Sequence, residues 1–115
     1  MHIQINTDSN VEGGEGLTAL VSAEIHTRLD RFSQHITRIE VHLSDENADR
    51  SGGPDKRCLI EARLEGRQPE VASEQAATLE GACSGAARKL QRALESTLGK
   101  LRQTRRTGAR PTGDL

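Results

Sequence analysis

Residues 78–102 read TLEGACSGAARKLQRALESTLGKLR, and their spacing decides the fold. Leu79, Cys83, Ala86, Leu90, Leu94, Leu98 and Leu101 recur every three or four positions, the period of an amphipathic helix. At about 100° per residue they share one stripe, while Arg88 and Arg92 point away from it and Lys89 and Lys100 occupy a flank. Thr78 suits the N-cap, and Glu80 in the first turn suits the positive end of the helix dipole. A helix of about six turns is predicted, with a core face and a cationic face. Gly81 and Gly85 are expected on its solvent side. Each interior glycine costs about 1 kcal/mol against alanine. The pair reads either as a tolerated weak turn or as a bare surface that a nucleic-acid backbone or another helix could approach closely.

Working back from that helix, Pro69 to about Gln75 is predicted as a weak strand with Val71 inward, and the proline favours an edge position. Arg57–Glu65 alternates with Cys58, Ile60, Ala62 and Leu64 on one side and Arg57, Glu61, Arg63 and Glu65 on the other. Before it, DENADRSGGPDK buries nothing and reads as a loop or hairpin end. Ile36–Ser44 alternates again, Ile39, Val41 and Leu43 opposing Arg38, Glu40 and His42. From Glu15 to about Gln34, Leu17, Leu20, Val21, Ile25, Leu29 and Phe32 have helical spacing. The chain opens with HIQIN, in which Ile3 and Ile5 share the face of a short strand.

The order is therefore β-α-β-β-β-α. A strand–helix–strand unit predicts a parallel pair, and the strands that follow predict antiparallel hairpins. Each strand has one apolar face and each helix one stripe, so the expected fold class is α+β. It is a two-layer domain: a four-stranded mixed sheet with both helices on one face and the other face in water. Residues 1–103 make the expected domain, and 104–115, with three arginines, glycine and proline, a basic tail disordered in isolation.

One Phe and no Trp or Tyr leave a core of aliphatic side chains and alanine, expected to be thin and of ordinary or low stability. The net charge of −1 conceals an asymmetry: residues 85–115 balance at +6 and residues 1–84 at −7. The two parts could simply attract one another, or the C-terminal part could be the side that meets a polyanion. Cys58 and Cys83 each fall on an apolar phase and read as buried free thiols. MHIQIN has no signal pattern and no apolar run approaches membrane-spanning length, so a soluble, cytoplasmic protein without a membrane partner is expected.

Enzymatic patterns fail in turn. GGEG precedes a helix but lacks the lysine–hydroxyl ending of a phosphate loop and the dinucleotide fingerprint. His2, His26, His35 and His42 have no metal-ligand spacing, although His2 and His42 are expected on the same open sheet face, and nothing orders a nucleophile–base pair. The expectation is no catalysis, no metal, no cofactor and no small-molecule substrate. Nucleic-acid binding is better supported. Arg28 and Arg31 close the first helix, and Arg88, Lys89, Arg92, Lys100 and Arg102 stud the second, so two helices on one sheet could join them in a cationic ridge along a phosphate backbone. The structural alternative is the ordinary charged outer face of a long helix. Without aromatic platforms, single-stranded bases have nothing to stack on, and shape and phosphate recognition of folded RNA remains. No helix-turn-helix spacing supports a major-groove reader of DNA.

Several strings resemble the ribosome hibernation-promoting factor and ribosome-associated inhibitor family, over roughly residues 1–104. Arg28-Leu29-Asp30-Arg31-Phe32 is similar to that family's close of the first helix. Arg88-Lys89-Leu90-Gln91-Arg92-Ala93-Leu94 resembles its second-helix segment, and Lys100-Leu101-Arg102 its basic–Leu–basic ending. The resemblance implies binding of 16S rRNA in the tRNA and mRNA channel of the small ribosomal subunit, silencing idle ribosomes under stress by occupancy. By that analogy Arg28, Arg31, Lys89, Arg92, Lys100 and Arg102, with Arg88 beside them, contact rRNA phosphates. The sequence departs from the family at Thr78–Ser84, where an acidic cap, an aromatic and an Ala-Ile-Asp string are usual. It departs again at Ser96 and Leu98, where many members carry lysine, and the cationic surface is thinner for it. A short form is expected, monomeric in solution, without the domain through which long forms join ribosomes. The rival reading is a protein-interaction module gripping the Gly81/Gly85 face.

Overall fold

In a computed structural model the described residues are 1–8, 14–45 and 56–106, with side chains described as far as Gly99. Strand β1 (His2–Thr7) leads to helix α1 (Glu15–Leu29), followed by a 3-10 turn (Asp30–Phe32). Strands β2 (Ile36–Asp45), β3 (Lys56–Leu64) and β4 (Glu70–Ala76) precede the long helix α2 (Leu79–Arg106). The sheet runs β1-β2-β3-β4, with β1 parallel to β2 and the other pairs antiparallel. This is the α+β, β-α-β-β-β-α arrangement that the alternation of strand and helix periods predicts.

Register explains the core. Ile3 lies opposite Ile39 and Ile5 opposite Val41, while Val41 meets Ile60 and Leu43 meets Cys58. One sheet face is thus apolar across three strands, and Val21, Ile25 and Leu29 of α1 close over it together with Ala82, Cys83, Ala86, Ala87, Leu90, Leu94 and Leu98 of α2. The alanines matter. Small side chains in the first turns of α2 let the helix lie close to β3 and β4, against which it packs. Thr78 Oγ1 accepts a hydrogen bond from Gly81 N–H at 3.0 Å, the expected cap.

Four details differ from the sequence reading. Val71, expected inward, is 53% exposed on the open face. Pairing of Ile60 with Ala72 and of Cys58 with Glu74 turns Glu70, Ala72, Glu74 and Ala76 toward α2 instead. An edge strand tolerates this because its carboxylates reach past the helix flank to polar partners, while the two alanines fit beneath it. Helix α1 stops at Leu29 and tightens into the 3-10 turn, so Phe32 enters the core from a shorter helix, and Leu20 on the expected stripe is exposed. Helix α2 continues to Arg106, past the boundary expected at 103; the expectations for 107–115 and for the loop over 46–55 lie outside the described residues.

The fourth difference concerns Gly85, expected on the solvent side and in fact buried against β4. A Cβ built there would meet Glu74 Cγ at 2.6 Å and Cδ at 2.9 Å. Gly81 is exposed, so the two glycines do not form one bare face. The physical reason is that α2 lies along the edge strand, so the flank between its apolar stripe and its crest faces Glu74 rather than water.

Candidate nucleic-acid interface

Helix α2 has three longitudinal surfaces outside its core stripe. The flank toward β4 carries Gly85 and Lys89. Lys89 Nζ donates to the Ser73 carbonyl at 3.2 Å and to Glu74 Oε1 at 2.6 Å. Thr97 Oγ1 donates to Glu70 Oε2 at 2.7 Å further along the same flank. These bonds strap the helix to the edge strand. The Lys89 ammonium, helped by the charge of Arg88, holds the Glu74 carboxyl below the usual glutamate range.

The opposite flank meets α1. Arg28 Nη1 donates to Gln91 Oε1 at 3.2 Å while its Nε holds Glu24 at 2.5 Å. Arg31, on the 3-10 turn, pairs with Glu95, which also accepts from Gln91 Nε2 at 3.4 Å. The Arg31 guanidinium lies 4.8 Å from the Phe32 ring centroid, over a side chain buried in the core. Between the flanks runs the crest, with Arg88 and Arg92 exposed; Arg92 makes no ion pair among the described residues.

The structure therefore brings Arg28 and Arg31 to α2 on one side and places Arg88 and Arg92 beside them on the crest. Lys89 lies on the far side of α2, engaged with β4. The side chains of Lys100 and Arg102 lie outside the described residues, although α2 carries their backbone beyond Gly99. Sequence reasoning missed Glu24, Glu74 and Glu95 as partners of these cations. Glu24 was within reach, since a Glu four residues before an Arg on a helix is a recognised pair. Glu95 lies 64 residues from Arg31, and no local signal reports it.

The open sheet face is an ion-pair mosaic. Arg38 Nε lies 3.0 Å from Glu40, Arg63 lies between Glu40 at 3.9 Å and Glu61 at 3.8 Å, and His42 is 3.7 Å from Glu40. His2 and His42 do share this face, but register sets His2 at the level of Arg38, four residues and roughly 13 Å along the strand from His42. No group of three or more His, Cys, Asp or Glu that could hold a metal gathers among the described residues. Cys58 and Cys83 are both buried and free, and the fold brings them together. The hydrogen bond between them, with burial, pushes the Cys58 thiol above its ordinary pKa. Among the described residues, no helix is long and apolar enough to cross a membrane.

A two-layer α+β domain whose exposed arginine crest lies on the helical side is the class these observations define. The Sigma 54 modulation protein / S30EA ribosomal protein family model matches residues 3–102. The chain belongs to that family, the hibernation-promoting factor family its strings resemble. Among solved structures it is similar to the Thermus thermophilus Protein Y N-terminal domain, at 24% identity and a TM-score of 0.67, covering 84% of this chain and 98% of that one. It is also similar to a ribosomal subunit interface protein from Coxiella burnetii, at 18% identity and a TM-score of 0.70, covering 86% and 99%. At these identities the likenesses speak for the fold. No curated protein matches the chain.

Proposed function

We propose that this protein is a ribosome-associated hibernation factor that lays its helical face on 16S rRNA in the tRNA and mRNA channel of the small subunit. It acts by occupancy, in the cytoplasm of stressed cells, and needs neither catalysis nor cofactor. The observation that carries this reading is family membership over residues 3–102. The placement of Arg28, Arg31, Arg88 and Arg92 around one helical crest supports it, because a row of guanidinium groups on a rigid helix suits a phosphate backbone. Lys100 and Arg102 add basic positions further along the same helix. Lys89 contributes less, since its ammonium serves β4. The rival module gripping a Gly81/Gly85 face loses its surface, as Gly85 is covered by Glu74.

Gradient co-sedimentation with small subunits tests the proposal. The protein is expected to travel with the subunits at low salt and to be released as salt rises; a protein that stays at the top of the gradient at every salt concentration refutes it.

A further inference from the structure

Glu95 occupies a place built for an anion. Arg31 meets its carboxylate from the 3-10 turn, and Gln91 Nε2 meets it at 3.4 Å from one turn earlier on α2. Gln91 is in turn held by Arg28 at 3.2 Å. Arg31 has a second support, the buried Phe32 ring 4.8 Å below it, which favours the same guanidinium position when the carboxylate is gone.

We infer that this seam between α1 and α2 is a phosphate seat with Glu95 as its internal occupant. An RNA backbone phosphate displaces the Glu95 carboxylate and takes over Arg31 and Gln91, with Arg28 alongside. The inference rests on the RNA-binding reading above and adds Gln91 as a ligand and Glu95 as a competitor, roles that the basic residues alone do not suggest.

The exchange is physically easy. Arg31 and Glu95 side chains are 57% and 44% exposed, so the swap requires no unfolding, and an ion pair this exposed holds little stability. A guanidinium fork fits phosphate as well as carboxylate, and phosphate brings more acceptor oxygens. The pair on the other flank shows the contrast. Lys89 also holds the Ser73 carbonyl, and Glu74 leans on Gly85, so drawing either away uncovers the edge strand. Among the described residues, the α1 side of α2 is the flank whose occupant leaves freely.

Sedimentation with purified small subunits across a salt series tests this with the wild type, Glu95→Gln, Arg31→Gln and the double variant. Glu95→Gln keeps the side-chain size, and its melting temperature checks the fold. It is expected to bind roughly three- to ten-fold tighter at low salt. Its salt dependence should be steeper by up to about 0.9 in logarithmic slope. The gain should vanish in the Arg31→Gln background. Unchanged affinity in Glu95→Gln, or the same gain without Arg31, overturns the seat while leaving ribosome binding in place. If the wild type does not bind subunits, the ribosomal reading falls. The seat then stands only if Glu95→Gln binds a short A-form RNA duplex through Arg31, and it falls if no variant binds.

Discussion

A Cβ placed on Gly85 would meet Glu74 Cγ at 2.6 Å and Cβ at 3.2 Å, atoms close to the β4 backbone rather than a yielding side-chain tip. Gly85→Leu is therefore expected to destabilise the domain by about 1–3 kcal/mol through overpacking, even though it replaces a poor helix former. Urea or thermal unfolding measures this, and an unchanged midpoint would mean that β4 gives way at no cost. Other residues announced themselves better. Thr78 as cap and Cys58 and Cys83 as buried thiols were legible because each depends on local pattern alone. Gly85 was not, because helical phase tells which residues flank the apolar stripe but not which flank a neighbouring strand will cover. The same limit hid Glu95: a contact across 64 residues is written in the packing of two helices, not in any window of sequence.

At the scale of elements, the fastening of α2 to β4 carries a pH dependence. The Glu74 carboxyl is held below its ordinary value by the hydrogen bond and charge of Lys89. A group whose folded pKa is depressed adds stability above its unfolded pKa, about 4.3 for glutamate, and that stability disappears as pH falls through the folded value. The wild type is expected to lose melting temperature as pH drops below that range. Glu74→Gln should start slightly lower at neutral pH and lose less on acidification; parallel curves for the two would exclude the strap as a contributor. The strand involved is also where element-level reading slipped. EVASEQA offers two weakly apolar sets, and hydrophobicity favours Val71. Register favours Ala72 and Ala76, since only small side chains fit under a helix whose own facing residues include Ala82 and Ala86. β2 and β3 posed no such choice: Ile39, Val41 and Leu43 alternate with Arg38, Glu40 and His42, and Cys58, Ile60, Ala62 and Leu64 with Arg57, Glu61 and Arg63.

For the whole molecule, element order and layering followed from periodicity, because strands with one apolar face and helices with one apolar stripe have few ways to bury both. The charge asymmetry was legible too, and the structure gives it an address: the crest of α2, where Arg88 and Arg92 are exposed. Charge reversal at Arg92 reads out at this scale. The Arg92→Glu variant should keep its fold within about 0.5 kcal/mol, as a surface substitution. It should bind small subunits about tenfold or more weakly at low salt, with a salt slope shallower by about 0.9, one phosphate contact in the duplex reference case. Circular dichroism and sedimentation together check it, and full binding by this variant would remove the crest from the interface.

The mosaic on the open sheet face bears on how the molecule arrives. Arg38, Glu40, Arg63 and Glu61 offset one another within a few ångströms, so the middle of that face presents paired charges to solvent. The helical side keeps exposed positive charge. The exposed guanidinium groups of Arg88 and Arg92 on the crest contrast with the paired ones here, and a polyanion is drawn more strongly to unpaired charge than to paired. Encounters that begin at the crest are thereby held longer than those that begin on the sheet.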